Sequence, residues 1–150
     1  MGNRSAVARL AALVLTAALS LPAWADNSQD FGHYVVHFNA LTTDMLSSNI
    51  ARQYGIVRSK NRGMLNVVVL KKVLGATGEP VKARVSATAT NLAGQTKSVG
   101  LREVDEGKAV YYLGEFPVAH EETVKFNIRV QPAGSDATYT VRFQHEFIIP

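Results

Sequence analysis

From residue 31 onward, apolar and polar residues alternate in short runs that are separated by turn residues. The alternation is strictest near the end of the chain, where Phe126 and Ile128, and later Val141 and Phe143, are flanked by polar neighbours. Successive side chains of a strand point to opposite faces, so each run predicts a strand with one buried face. We predict seven strands, at residues 31–40, 64–72, 81–90, 96–104, 109–116, 124–131 and 138–147.

One segment, residues 42–54, breaks the β pattern. Ser47 or Ser48 is a suitable cap for a short helix through Ile50 to Tyr54, and Gly55 would end it. The element order predicts an all-β fold: an immunoglobulin-like antiparallel β-sandwich of about seven strands, with one short helix after the first strand. The likeness is architectural, because the chain has no cysteine pair and its one tryptophan, Trp24, precedes the strands.

The first 25 residues have the three parts of a secretory signal peptide. Arg4 and Arg9 give a positive start, residues 10–19 are apolar, and Ala23-Trp24-Ala25 places small residues where signal peptidase requires them. We expect cleavage after Ala25, which leaves residues 26–150 as one β-sandwich domain in the periplasm. The apolar stretch is about half as long as a spanning helix, so we expect no stable membrane anchor after cleavage.

Composition narrows the classes of function. The chain has no cysteine, so no disulfide supports the exported domain and its core must suffice. Two of the 16 basic residues lie in the leader, whereas all 12 acidic residues follow it. The exported part is therefore close to balanced in charge, which does not favour nucleic acid as a partner.

No pattern indicates a metal site or a catalytic nucleophile. His33 and His37 are separated by roughly 13 Å if both lie on one strand, which is too far for two ligands of one ion. His145 falls on the apolar face of the last strand, and Glu121 and Glu122 are adjacent residues in a predicted turn. There is no Gly-x-Ser-x-Gly elbow and no glycine-rich phosphate loop. We therefore expect no cofactor, no metal ligand and no catalytic residue.

Three cations crowd into five residues between the predicted helix and the apolar strand at 64–72. Arg58, Lys60 and Arg62 form the candidate binding site, because such side chains on a rigid loop can bind carboxylate or phosphate. Two structural alternatives are open. The cations pair with nearby carboxylates such as Glu103, Asp105, Glu115 or Glu121, or they are solvated and keep the neighbouring strand edge from aggregating.

Three stretches of the chain are distinctive: Phe31-Gly32-x-Tyr34-x-Val36-His37-Phe38-Asn39, all of residues 54–63, and Tyr111-Tyr112-Leu113-Gly114-Glu115-Phe116-Pro117. Together they resemble a family of small exported proteobacterial proteins known as domain of unknown function 4426. The resemblance covers nearly all of the chain after the leader and implies an exported β-sandwich. It implies no established activity and no catalytic residue. Arg58 and Lys60 lie within its signature, which favours a role for them.

These observations favour a non-catalytic exported module that binds a protein or a small anionic ligand. The alternatives are a periplasmic small-ligand receptor or enzyme with a site near residues 54–63, and a periplasmic chaperone. A receptor or enzyme needs a concave pocket with converging polar groups. An interaction module needs only an exposed edge or flat patch, and a chaperone would expose an apolar groove.

Overall fold

The structure is a computed structural model and describes residues 27–149. The predicted leader and its cleavage site lie outside the described residues. Within this range ten strands form two antiparallel sheets, which pack face to face. The predicted all-β sandwich is therefore confirmed, with ten strands rather than seven.

The elements follow one another along the chain with only one short helical region. They are β1 (Ser28–Asp30), β2 (Tyr34–Thr42), a 3-10 turn (Thr43–Met45), α1 (Ser48–Gln53), β3 (Arg62–Lys71), β4 (Glu79–Pro80), β5 (Ala83–Asn91), β6 (Thr96–Val99), β7 (Arg102–Asp105), β8 (Val110–Pro117), β9 (Glu122–Pro132) and β10 (Tyr139–Phe147). The first sheet has the order β1-β2-β3-β8-β7, and β4 pairs with the end of β3. The second sheet has the order β10-β9-β5-β6.

The apolar run at residues 64–72 forms a central strand, as predicted. β3 pairs with β2 on one side and with β8 and β4 on the other. Leu65, Val67 and Val69 have no exposed surface and belong to the main core. Both edges of β3 are paired and the second sheet seals one face, while Met64 on the other face is buried beneath α1, so a continuous apolar sequence suits this position.

The alternation in the last two strands places their side chains as predicted. Phe126 faces Phe143 and Ile128 faces Val141 in the register of β9 and β10. Three of the four are buried, and Phe143 is partly buried against the same core. His145 is also partly buried, with its ring centroid 4.7 Å from that of Phe147, and burial lowers the pKa of its imidazole.

The short helix is confirmed and begins where the capping residues predict. Ser47 is the N-cap, and its hydroxyl accepts a hydrogen bond from Ile50 N at 3.2 Å. Gly55 follows the helix with φ +65°, a backbone conformation that glycine adopts without strain. The 3-10 turn that precedes the helix was not predicted.

The predicted single strand at 96–104 is wrong, because the chain there changes sheets. β6 pairs with β5 in the second sheet, whereas β7 pairs with β8 in the first. The connection crosses Gly114 of β8 so closely that a Cβ there would lie 2.6 Å from Val99 Cγ1 and 2.9 Å from the Gly100 carbonyl oxygen. Glycine at 114 therefore permits the crossing. The other extra strands, β1 and β4, are too short to show an alternation.

Tyr112 links the two sheets by hydrogen bonds. Its hydroxyl accepts a bond from Ala83 N of β5 at 2.8 Å and donates one to Glu103 of β7 at 3.0 Å. Burial is the main cause that raises the pKa of this phenol to about 12; the bond to Glu103 adds to it and the bond from Ala83 opposes it. Lys82 reinforces the link, with its Nζ 3.6 Å from Glu103 and 3.5 Å from Asp105.

We expect Tyr112→Phe to lower the free energy of unfolding by about 1–3 kcal/mol, because Ala83 N would lose its acceptor inside the protein. A phenol whose pKa is raised on folding stabilises the fold below its unfolded pKa of 10.0 and loses that contribution as the pH rises towards about 12. Urea titrations across this pH range should therefore show a shallower fall for Tyr112→Phe than for the wild type.

The matched control is Tyr111→Phe, since the Tyr111 hydroxyl has no hydrogen-bond partner among residues 27–149. Equal losses of stability in the two variants would contradict the role given to Tyr112.

Candidate functional site

A buried threonine holds the segment 54–63 in place. Thr43 has no exposed surface, and its hydroxyl donates to the Val57 carbonyl at 2.8 Å and accepts from Ser59 N at 2.9 Å. The segment is tied at two further points, where Ile56 N donates to the Ala51 carbonyl and the Asn61 carbonyl accepts from Val118 N. Residues 54–61 have no regular secondary structure, and residues 62 and 63 begin β3, but these bonds make the whole segment a defined surface rather than a loose loop.

The three candidate cations of this segment have different surroundings. Arg58 donates to the Asp44 carbonyl at 2.9 Å and to the Ser48 hydroxyl at 3.3 Å, so it closes the turn that leads into α1. Arg62 pairs with Glu115 of β8 at 3.4 Å. Lys60 is exposed and forms no ion pair with any residue from 27 to 149.

The structure thus does not gather Arg58 and Arg62 at one point, because each is bound to a different element. Of the carboxylates named as alternative partners, Glu115 does pair with Arg62. Glu103 and Asp105 pair with Lys82 instead, and Glu121 lies 3.4 Å from His120. Lys60 remains the cation of the segment with the greatest freedom to meet a partner.

Two hollows lie beside the segment at one end of the sandwich. The first, of about 450 Å³, is lined by Ser59, Asn61 and Arg62 on one side and by 115–117 on the other. The second, of about 440 Å³, shares residues 115–117 and continues between the sheets, where Lys97 and Glu122 reach its wall. The carboxylate of Glu122 is already bound to Ala119 N at 2.7 Å. Two concave surfaces therefore lie at this end of the sandwich, beside the segment 54–63.

A smaller hollow of about 230 Å³ lies between α1 and the outer face of the first sheet. Its walls are apolar or aromatic side chains, among them Ile50, Tyr54 and Met64. Asn66 lines it too, and its Oδ1 is buried without a hydrogen-bond partner among residues 27–149. Sequence reasoning missed this site; the one signal for it was an asparagine within the apolar run of β3.

No metal centre is found in the part of the chain that the structure describes. Among residues 27–149, no group of three or more histidine, cysteine, aspartate or glutamate side chains is close enough to hold an ion. His33 and His37 were predicted to lie on one strand. His37 does lie within β2, but His33 precedes that strand, so this prediction is wrong. No helix within the same residues is both long and apolar enough to cross a membrane.

Residues 28–149 match the family described as domain of unknown function DUF4426. The chain belongs to this family. The resemblance drawn from its three distinctive stretches is thereby confirmed. A DUF4426 family protein from Pseudomonas aeruginosa PAO1, whose crystal structure is known, is 35% identical in sequence to this chain. The two structures match with a TM-score of 0.70, over 82% of this chain and 94% of that one. Among curated proteins, none matches the sequence.

Two solved structures of FetP from uropathogenic E. coli strain F11 are similar in fold. One is FetP as isolated after recombinant expression in the E. coli periplasm, and its match covers 81% of this chain and 92% of FetP. The other is a copper-bound variant, with 82% and 95% covered. Both are 10% identical to this chain, with a TM-score of 0.57. At that identity the likeness extends to the fold alone.

We expect Thr43→Val to lower the free energy of unfolding by about 1–3 kcal/mol. Valine has nearly the same shape but leaves Ser59 N and the Val57 carbonyl without their partner. Amide hydrogen exchange should quicken at Ser59 more than in the strands, because the segment would open locally. Thr138→Val, at an exposed position, is the control. Unchanged exchange at Ser59 would show that the segment does not depend on Thr43.

Proposed function

We propose that this DUF4426 domain is an exported, non-catalytic binding module, and that it receives its partner at the end of the sandwich formed by residues 54–63. The observation that carries the proposal is the fixed position of a cation-bearing segment beside a hollow of about 450 Å³. Binding residues commonly lie on such irregular segments when a rigid scaffold holds them. A surface that is already ordered loses little conformational entropy on binding.

The charges of the segment indicate what kind of group the partner presents. Lys60 projects from the fixed backbone without an ion pair among residues 27–149, and Arg62 has only a partly exposed bond of 3.4 Å to Glu115. Such exposed pairs contribute about 0–1 kcal/mol, so a carboxylate or phosphate of the partner can compete for Arg62. The proposed partner is therefore a protein with an acidic patch or a small anionic ligand.

Charge reversal at Lys60 tests this proposal. The protein is purified from the periplasm, immobilised and exposed to a periplasmic extract, and retained proteins are identified by mass spectrometry. Native mass spectrometry of the purified protein detects a small ligand that copurifies with it. We expect Lys60→Glu to reduce the retained partner at least roughly tenfold, since a like charge in an interface costs several kcal/mol. The melting temperature should barely change, because Lys60 is exposed.

Lys108→Glu is the matched control, because it makes the same change of charge at an exposed position outside the segment. Equal retention by both variants would overturn the proposal. A neutral ligand whose binding is lost in Asn66→Leu, but not in Lys60→Glu, would instead favour the small-ligand receptor, with its site in the hollow beneath α1.

The exported location has its own test. We expect the periplasmic form to begin at Asp26, because Ala23-Trp24-Ala25 fits signal peptidase. N-terminal sequencing of the protein recovered from the periplasm decides this. A different first residue, or recovery only from membranes, would contradict the expectation.

A further inference from the structure

The outer face of the second sheet is entirely polar. Fifteen side chains of β5, β6, β9 and β10 point away from the core, and none is aliphatic or aromatic. Four are cations, namely Arg84, Lys125, Arg129 and Arg142, one is the carboxylate Glu146, and the other ten are neutral hydroxyls or amides. We call this surface the basic face.

The cations of the basic face are close neighbours. The register of β5, β9 and β10 makes Arg84, Arg129 and Arg142 successive diagonal neighbours across three adjacent strands, and Lys125 is diagonal to Arg142. Diagonal positions lie about 7–8 Å apart, within reach of long side chains. All four are exposed and form no ion pair with any residue from 27 to 149. Glu146 is diagonal to Lys125 in the same register without forming an ion pair, whereas no carboxylate of this face is diagonal to any of the three arginines.

The basic face also carries the whole net charge of the described residues. It holds four basic residues and one acidic residue, whereas the rest of 27–149 has ten basic and ten acidic residues. The near balance of charge in the sequence after the leader hides this separation. An anionic ligand that approaches the molecule therefore meets net positive charge at the basic face, whereas the other described residues sum to zero charge.

A shallow hollow of about 300 Å³ lies at the margin of the basic face. Arg84 and Arg129 both line it, together with the polar side chains of Ser86, Gln131 and Thr138. Two guanidinium groups and two hydroxyls are donors that bind a phosphate oxygen well, and the Gln131 amide, which already donates to the Ser135 carbonyl, has a second N–H. The hollow therefore gives the basic face a point at which one phosphate group can be held by several donors.

We propose that the basic face binds the phosphate groups of an anionic membrane surface, peripherally and reversibly. Lys125 and Arg129 are four residues apart on β9, or roughly 13 Å, so one small anion cannot reach all four cations. A flat array of phosphates can. A protein partner is less suited, because stable protein interfaces have an apolar centre that this face lacks. The choice of a membrane rests on the exported location given under Proposed function.

The test measures binding to vesicles by cosedimentation, with the protein purified from the periplasm. Vesicles of phosphatidylglycerol and phosphatidylcholine are compared with phosphatidylcholine alone, in about 0.1 M salt, where charges are screened beyond about 10 Å. We expect binding to the anionic vesicles only. In Arg84→Gln with Arg129→Gln, the partition coefficient should fall roughly 25-fold, since each cation near an anionic surface contributes about fivefold.

The matched control is Lys71→Gln with Lys108→Gln, which removes the same charge from exposed positions off the basic face. It should change binding clearly less than the double variant of the basic face, because Lys71 belongs to the first sheet and Lys108 to the turn before β8. Unchanged melting temperatures show that both variants are folded. Because Lys60 is intact in both, failure here leaves the proposed function untouched.

Several results would overturn the proposal. Equal effects of the two double variants would mean that vesicle binding depends on the net charge of the protein and not on the basic face. Displacement from vesicles by inorganic phosphate at equal phosphate concentration would assign the face to a free anion. Tighter binding to polyglutamate or to duplex DNA than to the vesicles would assign it to an acidic protein or to nucleic acid.

Discussion

A row of phenyl rings joins the two sheets, and the rest of the domain depends on it. Phe38 of the first sheet contacts Phe143 of the second with centroids 4.6 Å apart, and Phe143 stacks on Phe126 at 4.9 Å. Phe116 of the first sheet then meets Phe126 at 5.4 Å. Because the chain has no cysteine, these ring contacts and the buried aliphatic side chains around them hold the two sheets together without a disulfide. Gly63 makes room for the row, since a Cβ there would lie 2.4 Å from the Phe116 ring.

The outer faces of the two sheets differ in how far other parts of the chain cover them. The first sheet is covered in part by α1 and the segment 54–63, which form a second apolar cluster around Ala51, Ile56, Met64 and Leu113. Among residues 27–149 no such cover lies on the second sheet, and its outer positions are all polar. Apolar burial therefore orders the segment 54–63 at the covered sheet, while the uncovered sheet is free to present charge. The two proposed binding surfaces follow from this asymmetry and are independent of each other.

Fold likeness and family membership say different things about this domain. The likeness to FetP at 10% identity shows that very different sequences can close the same two-sheet architecture. A β-sandwich requires alternation, turns and a sealed interior, and these leave the exposed side chains free to vary. Function must therefore be sought in surfaces such as the ordered segment 54–63 and the basic face, which the architecture permits but does not require.

Much of the fold could be predicted from the sequence because its causes are local. Alternation with period two marks the buried faces of β9 and β10, and Ser47 and Gly55 mark the ends of α1. The cationic segment was equally visible as a cluster along the chain. The surroundings of its residues were not, because Arg58, Arg62 and Ser59 are bound by residues 10 to 53 positions away.

The same limit explains the strand at 96–104 and the basic face. The strand divides because Gly114, far along the chain, lets the connection cross between sheets. The four cations of the basic face are dispersed from residue 84 to residue 142, and strand register alone makes them neighbours. Local sequence specifies which side chains point outward, but pairing between distant segments specifies which of them meet.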